Sequence, residues 1–354
     1  MLTRRIHPVF GQSNPMGTRP KIELTDRRYD SVQPDIRQWT RLAGSFAGTA
    51  SAPMSIPATN FSLEAALGWN LRYVAGEYPL IFRAAGSGYS LETTWNVPGV
   101  SNEWADALAD LWACYEAAKT EFAGDNIEFG PLHWWNSEAD ANDPAWVLTF
   151  EFNLRELVQT YRREFGKGLG VVLYQLSELA VPGARVGDPT YPADRATVRA
   201  AFTNVAASEG NCRVVDITPF ELLVETSPPR TVHVTADASM LVGEAGFVAT
   251  QLLAPGTQHE KRARAFSTLL DAQTFATSVQ AAVGSRSENP ATGGVGRRLG
   301  AGARDPWPVT PRSQVLKHPT QNVWFVPVDS GMEGFGLDLT TNLRPVDLSW
   351  LVYA

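Results

Sequence analysis

Prolines at 8, 15, 20, 34, 53 and 57 interrupt the first sixty residues so often that no ordinary helix fits there. The apolar side chains between them follow neither a helical nor an alternating period. Ile6, Val9, Phe10, Ile22, Tyr29, Trp39 and Leu42 still give the stretch more apolar side chains than a linker carries. It reads as an extended arm that becomes ordered on another surface. A second irregular stretch, 285–320, holds Gly293, Gly294, Gly296, Gly300 and Gly302, followed by Pro306, Pro308 and Pro311. Such extensions bury area on neighbouring subunits without enlarging the chain's own core.

Between these stretches the patterning becomes regular. Trp69, Leu71 and Tyr73 alternate with Asn70 and Arg72, and Tyr89, Leu91, Thr93 and Trp95 alternate across a Gly86–Gly88 turn. Trp104, Leu108, Leu111, Tyr115, Ala118 and Phe122 then recur every three or four residues, which predicts a helix over 101–122. Trp146, Leu148, Phe150, Phe152 and Leu154 alternate again and predict a strand over 146–154. Further on, 171–174 and 212–217 read as strands. A helix begins at Asp194 with Val198, Ala201, Phe202 and Val205 on one side. Residues 222–226 and 231–235 read as a hairpin, 241–254 as an apolar strand or buried helix, and 257–284 as a helix opened by Thr257 and Glu260. Segments 322–328 and 346–353 read as closing strands.

The resulting expectation is an α+β chain of antiparallel sandwich-like or barrel-like sheets with flanking helices and long irregular extensions. Its expected divisions are an arm over 1–60, a β-rich unit with one long helix over 61–165, a second α+β unit over 166–284, and a Pro/Gly-rich loop with closing strands over 285–354.

Of the 354 residues, 44% are hydrophobic and 19% charged, which excludes wholesale disorder. No stretch approaches the roughly 18–20 uninterrupted apolar residues of a membrane span. The net charge of −7 is uneven. Thirteen acids against Lys119 and Arg155 lie between Glu92 and Glu156, whereas the first forty-one residues hold eight basic side chains against four acids. The overall acidity makes nucleic acid an unexpected partner. Cys114 and Cys212 are too few for a disulfide scaffold or a zinc cluster, and the opening residues lack a signal-peptide pattern, so assembly in a reducing cytoplasm is expected.

No motif names a reaction. Gly294-Val-Gly296-Arg-Arg-Leu-Gly300 follows a predicted helix, whereas a dinucleotide fingerprint follows a strand; Gly166-Lys-Gly168-Leu-Gly170 precedes a strand. His7, His133, His233, His259 and His318 are scattered, with His233 on the polar phase of a strand, and each reads as a surface or hydrogen-bonded histidine. No Gly-x-Ser-x-Gly elbow is present. A Ser–His–Asp site built from distant residues leaves no local pattern to read. The loop of Glu138, Asp140, Asn142 and Asp143 lacks the central glycine and distal glutamate of a calcium loop. No catalytic residue, cofactor or metal is assigned, and the chain is expected not to be an enzyme.

The strands at 69–74, 89–95 and 146–154 around the helix at 101–122, together with the two extensions, resemble the structural proteins of tailed-bacteriophage virions. The likeness is to tail-tube, distal-tail and baseplate-ring subunits. It implies a symmetric oligomer built from copies of the chain and other tail proteins, assembled in the host cytoplasm and located in the virion. The residues expected at its interfaces are Arg4, Arg5, Tyr29, Trp39, Arg297, Arg298 and Trp307. An alternative rests on the excess of eleven tryptophans. Trp134 and Trp135, beside His133 and the acidic loop, would form an exposed stacking platform of a carbohydrate-binding module or glycan-active enzyme.

Overall fold

The computed structural model describes residues 2–254, apart from 18, 30, 43–44, 47–52, 56–60, 97–101, 167 and 227–228, and the backbone of four later strands. The chain divides into two units. One comprises Met1–Val97, Ser101–Arg162 and Gly168–Thr257; the other comprises Gln258–Ala354 with Pro98–Val100 and Arg163–Lys167.

The first unit is built on six parallel strands: β1 (Thr3–Gly11), β2 (Gln33–Leu42), β3 (Tyr78–Ala85), β4 (Leu132–Trp135), β5 (Val171–Gln175) and β6 (Cys212–Asp216). Their order is β2-β3-β1-β4-β5-β6. The short strands Ser45–Phe46 and Pro53–Met54 add antiparallel to β2, and Asn126–Phe129 pairs with β1 ahead of β4. The expected antiparallel sandwich is therefore corrected to a mostly parallel α/β sheet. Parallel strands are covered on both faces and read as short apolar runs rather than alternations. Every side chain of β4 and β5 is buried.

The expected arm is likewise corrected, because residues 3–11 form a central strand of the sheet. A proline is ordinarily kept out of a central strand, which uses its N–H groups on both sides. The structure shows how Pro8 is accommodated. The Ile6 carbonyl accepts from Gly130 N–H at 2.7 Å, which places even-numbered residues of β1 toward β4. The partner chain breaks there at Gly130–Pro131, between pairing with Thr3–Ile6 and pairing with Val9–Gly11. The missing N–H of Pro8 falls into that gap.

Five helices cover the sheet: α1 (Glu64–Tyr73), α2 (Asn102–Glu121), α3 (Phe150–Phe165), α4 (Tyr191–Glu209) and α5 (Ala236–Gln251). Val9, Ile81, Trp135, Val172 and Tyr174 form one core with Leu67 and Leu71 of α1 and Met240 and Val242 of α5. On the opposite face, Phe10 packs on Phe82, Trp95 and Trp104 of α2, and Trp95 meets Trp134 edge-on. Helices α3 and α4 meet through Phe150 and Phe202. Helix α5 approaches α1 so closely that a Cβ at Gly243 would lie 2.3 Å from the Leu63 carbonyl oxygen.

Three expected strands are corrected. Residues 69–73 belong to α1, 89–95 form turns, and 146–154 contain a short helical turn and the start of α3. The alternation at 146–154 was produced by side chains that do not face a core: Leu148 is 84% and Phe152 56% exposed. The buried stripe of α3 is Phe150, Leu154, Leu157, Val158 and Tyr161, with helical spacing.

In the second unit, Arg262–Phe266, Leu316–Lys317, Trp324–Val328 and Leu343–Pro345 form an antiparallel sheet. Residues 262–266 are thus strand where a helix was expected. The remainder of that expected helix, the 285–315 part of the irregular stretch and the closing strand at 346–353 lie outside the described residues. Among the described residues no helix is long and apolar enough to cross a membrane.

Candidate active site

Strand β1 ends at a turn that only glycine can make. Gly11 has φ +149°, and a Cβ on it would lie 2.0 Å from the Trp135 carbonyl oxygen. The Gln12 N–H donates to that same oxygen at 3.3 Å, which ties the turn to the end of β4. The chain then winds into the helical turn Ser13–Met16, closed by Gly17 at φ 85°. Ser13 thus stands immediately beyond the C-terminal end of a central parallel strand, where α/β sheets open their binding crevice.

The opposite wall is the segment leading into α5. Glu225–Thr226 and Pro229–Arg230 form a two-stranded antiparallel ladder in which Glu225 faces Arg230 across the pair. Thr231 and Val181 exchange two backbone hydrogen bonds at 2.9 Å, anchoring the ladder to the body of the unit. His233 follows, and Thr235 caps α5 by accepting from Ala238 N–H.

His233 Nε2 lies 2.9 Å from Ser13 Oγ, and His233 Nδ1 lies 2.8 Å from Glu225 Oε2. Serine, imidazole and carboxylate are therefore joined in one line. Glu225 accepts two further bonds from Arg230, Nε to Oε2 and Nη2 to Oε1, both at 2.9 Å. Burial alone would raise the Glu225 pKa, but the bonds from Arg230 and His233 hold it below the usual carboxylate value. Burial pushes the His233 pKa down, and Arg230 adds to that; Glu225 opposes it. An ionised acceptor beside Nδ1 fixes the proton there and leaves Nε2 free to take the serine proton.

Asn14 joins the two walls. Its Nδ2 donates to the Val232 carbonyl at 3.0 Å and to Glu138 Oε1 at 2.7 Å, and its Oδ1 accepts from Val234 N–H at 3.2 Å. Asn136, next after β4, is fully buried, and neither of its side-chain polar atoms has a hydrogen-bond partner among the described residues. The Gly11↔Trp135 register sets it alongside the Gln12–Ser13 turn. Of the acidic loop, Glu138 is taken up by Asn14, and Asp140 accepts from Leu91 and Glu92 N–H. Among the described residues no group of three His, Cys, Asp or Glu side chains is arranged to hold a metal ion.

Neither a family model nor a curated protein sequence matches the chain. Solved structures do match its shape. A protein from Arabidopsis thaliana superposes with a TM-score of 0.53 at 12% identity, over 71% of this chain and 99% of its own. A carbohydrate acetylesterase from Xanthomonas citri gives a TM-score of 0.50 at 15% identity over 70% of this chain, which spans 56% of that protein's length.

The fold is the one these structures share, a mostly parallel α/β sheet flanked by helices.

This overturns the resemblance to tailed-phage structural proteins, and with it the virion location and the tail or baseplate subunit. The expectation of a non-enzyme is corrected: the Xanthomonas citri protein of this fold is an acetylesterase, and here Ser13, His233 and Glu225 are hydrogen-bonded in line.

The residues singled out in the sequence lie elsewhere. Arg4 pairs with Asp125 at 2.9 Å over the Phe122 ring, and Arg5 bridges Glu77 and Glu128, each at 3.2 Å. Tyr29 is buried and bonded to Glu244, and Trp39 is buried in the sheet. Arg297, Arg298 and Trp307 lie outside the described residues, as do His259 and His318. Trp134 and Trp135 point to opposite faces of the sheet and are both buried, Trp134 against Trp95 and Trp135 stacked on Tyr174. They form no exposed stacking platform. Ser13 was missed because 1–60 was read as an arm. The available signal was Gly11-Gln-Ser-Asn-Pro-Met-Gly17, a glycine turn directly after an apolar stretch that opens a helical turn.

Proposed function

We propose that the chain is a serine-dependent ester hydrolase acting on acetylated carbohydrate. The observation that carries this reading is the line Ser13 Oγ, His233 Nε2, His233 Nδ1, Glu225 Oε2, with its two spacings of 2.9 and 2.8 Å. The sugar ester is supported by the likeness to the Xanthomonas citri acetylesterase.

In this reading His233 Nε2 takes the Ser13 proton as Oγ adds to the ester carbonyl carbon. The tetrahedral oxyanion is met by the Ser13 backbone N–H and by Asn136 Nδ2, a buried donor that no acceptor among the described residues uses. His233 then gives the proton to the departing sugar oxygen, leaving acyl-Ser13. Water, deprotonated by His233, attacks the acyl carbon, and Ser13 leaves with the returned proton. Glu225 stays ionised throughout and stabilises the imidazolium.

The test is release of acetate from p-nitrophenyl acetate and from acetylated xylan, together with labelling by a fluorophosphonate. The expected result is hydrolysis of both substrates, one label on Ser13, and loss of both hydrolysis and labelling in Ser13→Ala. Unchanged hydrolysis in Ser13→Ala overturns the esterase reading. Hydrolysis of the small ester alone overturns the carbohydrate assignment.

A further inference from the structure

Glu225 is an unusually placed partner for His233. It sits on a two-residue ladder rather than in the sheet, and its side chain has one more rotatable bond than aspartate. Both features leave its carboxylate free to wander unless something holds it. Arg230 is its cross-strand partner in the ladder, and the guanidinium meets the carboxylate side-on with two bonds at 2.9 Å. A bidentate fork of this kind restricts both side chains, unlike a loose surface ion pair. Glu225 Oε2 therefore receives Arg230 Nε and His233 Nδ1 together. The Thr231–Val181 exchange on the next residue keeps the arginine strand from shifting.

We propose that Arg230 is a positioning residue of this site: its guanidinium fixes the Glu225 carboxylate in place and offsets its charge, so that the carboxylate orients His233 without holding it protonated. The inference rests on the esterase reading above. An unopposed carboxylate beside an imidazole raises the imidazole pKa and keeps the base protonated near neutral pH. Arg230 acts against that. The charged groups around His233 are Glu225 and Arg230 on the ladder and Arg19 on the segment after β1, and Arg19 is itself engaged by Glu23. Ser13 and Asn14, packed on the other side, are neutral.

The experiment is the pH profile of kcat/KM for p-nitrophenyl acetate in the wild type, Arg230→Gln, Arg230→Lys and Ser13→Ala, with thermal melts to verify folding. In Arg230→Gln, kcat/KM is expected to fall about tenfold and the acid limb to move up by about half a unit or more, because the unopposed Glu225 favours imidazolium. Arg230→Lys keeps the charge but not the fork, so the limb returns toward the wild-type position while the rate stays reduced. A residue that only braced the hairpin would lower the rate without moving the limb. A limb in Arg230→Gln that stays put or moves down, or an Arg230→Lys limb that matches Arg230→Gln, overturns the inference. Should Arg230→Gln not fold, Arg230→Lys decides: a wild-type limb with a reduced rate supports the inference, and any other outcome overturns it. Failure of the esterase reading is seen separately, as an inactive wild type or an active Ser13→Ala.

Discussion

Asn14 brackets His233. Its amide nitrogen donates to the carbonyl of the preceding residue, Val232, and its amide oxygen accepts from the N–H of the following residue, Val234. The residue next to the nucleophile thus sets the height and angle of the segment that carries the base. The third Asn14 bond, to Glu138 at 2.7 Å, adds a donor to a buried carboxylate that also accepts from Ser137 N–H at 3.2 Å.

Alanine at position 14 removes all three bonds, whereas aspartate keeps the acceptor for Val234 N–H. Asn14→Ala is expected to cost about 2–3 kcal/mol, chiefly by leaving Glu138 buried with one donor fewer, the Ser137 N–H at 3.2 Å remaining. Asn14→Asp should cost more at neutral pH, because a second carboxylate would face Glu138. Urea unfolding of the two variants checks the order. Stability equal to wild type in Asn14→Ala would mean that the bracket carries no energy.

Glu225→Gln tests the orientation of the base. Glutamine keeps the shape but offers His233 Nδ1 a neutral amide, which permits the wrong tautomer. The expected loss in kcat is about 10²–10⁴-fold with folding intact. In the wild type the acid limb should lie below the ordinary histidine value of about 6.5, since burial and Arg230 both depress His233 and neutral imidazole is the active form. A limb above that value contradicts the burial assignment.

His133 should make the fold acid-sensitive. It lies fully buried in β4 with Nδ1 2.9 Å from the Tyr174 hydroxyl, and burial, with nearby His7, holds its pKa well below the ordinary value. The folded state therefore refuses a proton that the unfolded chain accepts. Stability is intact above the unfolded pKa of about 6.5 and falls as pH drops below it, by about 1.4 kcal/mol per unit for this group. His233, also depressed, adds in the same sense. His133→Gln should remove about one proton from the slope, measured by denaturant unfolding between about pH 5 and 7.

Gly243→Ala should separate two helices. The added methyl would meet the Leu63 carbonyl oxygen at 2.3 Å and the Ala66 Cβ at 2.9 Å, neither of which can swing aside. The expected cost is about 1–3 kcal/mol, read as a lower melting temperature. Gly76→Ala is the control: nothing lies within 4 Å of its Cβ, and only the positive φ of 74° opposes it. Its cost should be nearer 1 kcal/mol.

Elements whose buried side matches a single period were legible. The stripe from Trp104 to Ala118 marks α2, Val198 to Val205 marks α4, and the run at 171–174 marks β5. Elements with apolar side chains on two sides were not. Leu148 and Phe152 are exposed, yet they complete a false alternation with Phe150 and Leu154. Pro8 in β1 hid a central strand, because the gap that tolerates it belongs to a partner more than a hundred residues away. The site was illegible for a related reason. Gly11, Ser13, Asn14 and Asn136 acquire their meaning only once β1 lies beside β4 and the Glu225–Arg230 ladder lies across from both.

Ser13 and His233 are 220 positions apart, and the strands of the parallel sheet are made from the chain between and before them. During synthesis Ser13 emerges early and meets no imidazole partner until the Glu225–Arg230 ladder docks. On the esterase reading, turnover therefore reports that the first unit has folded. A chain stalled short of that ladder would lack the Ser13–His233 contact, however well its first strands had formed.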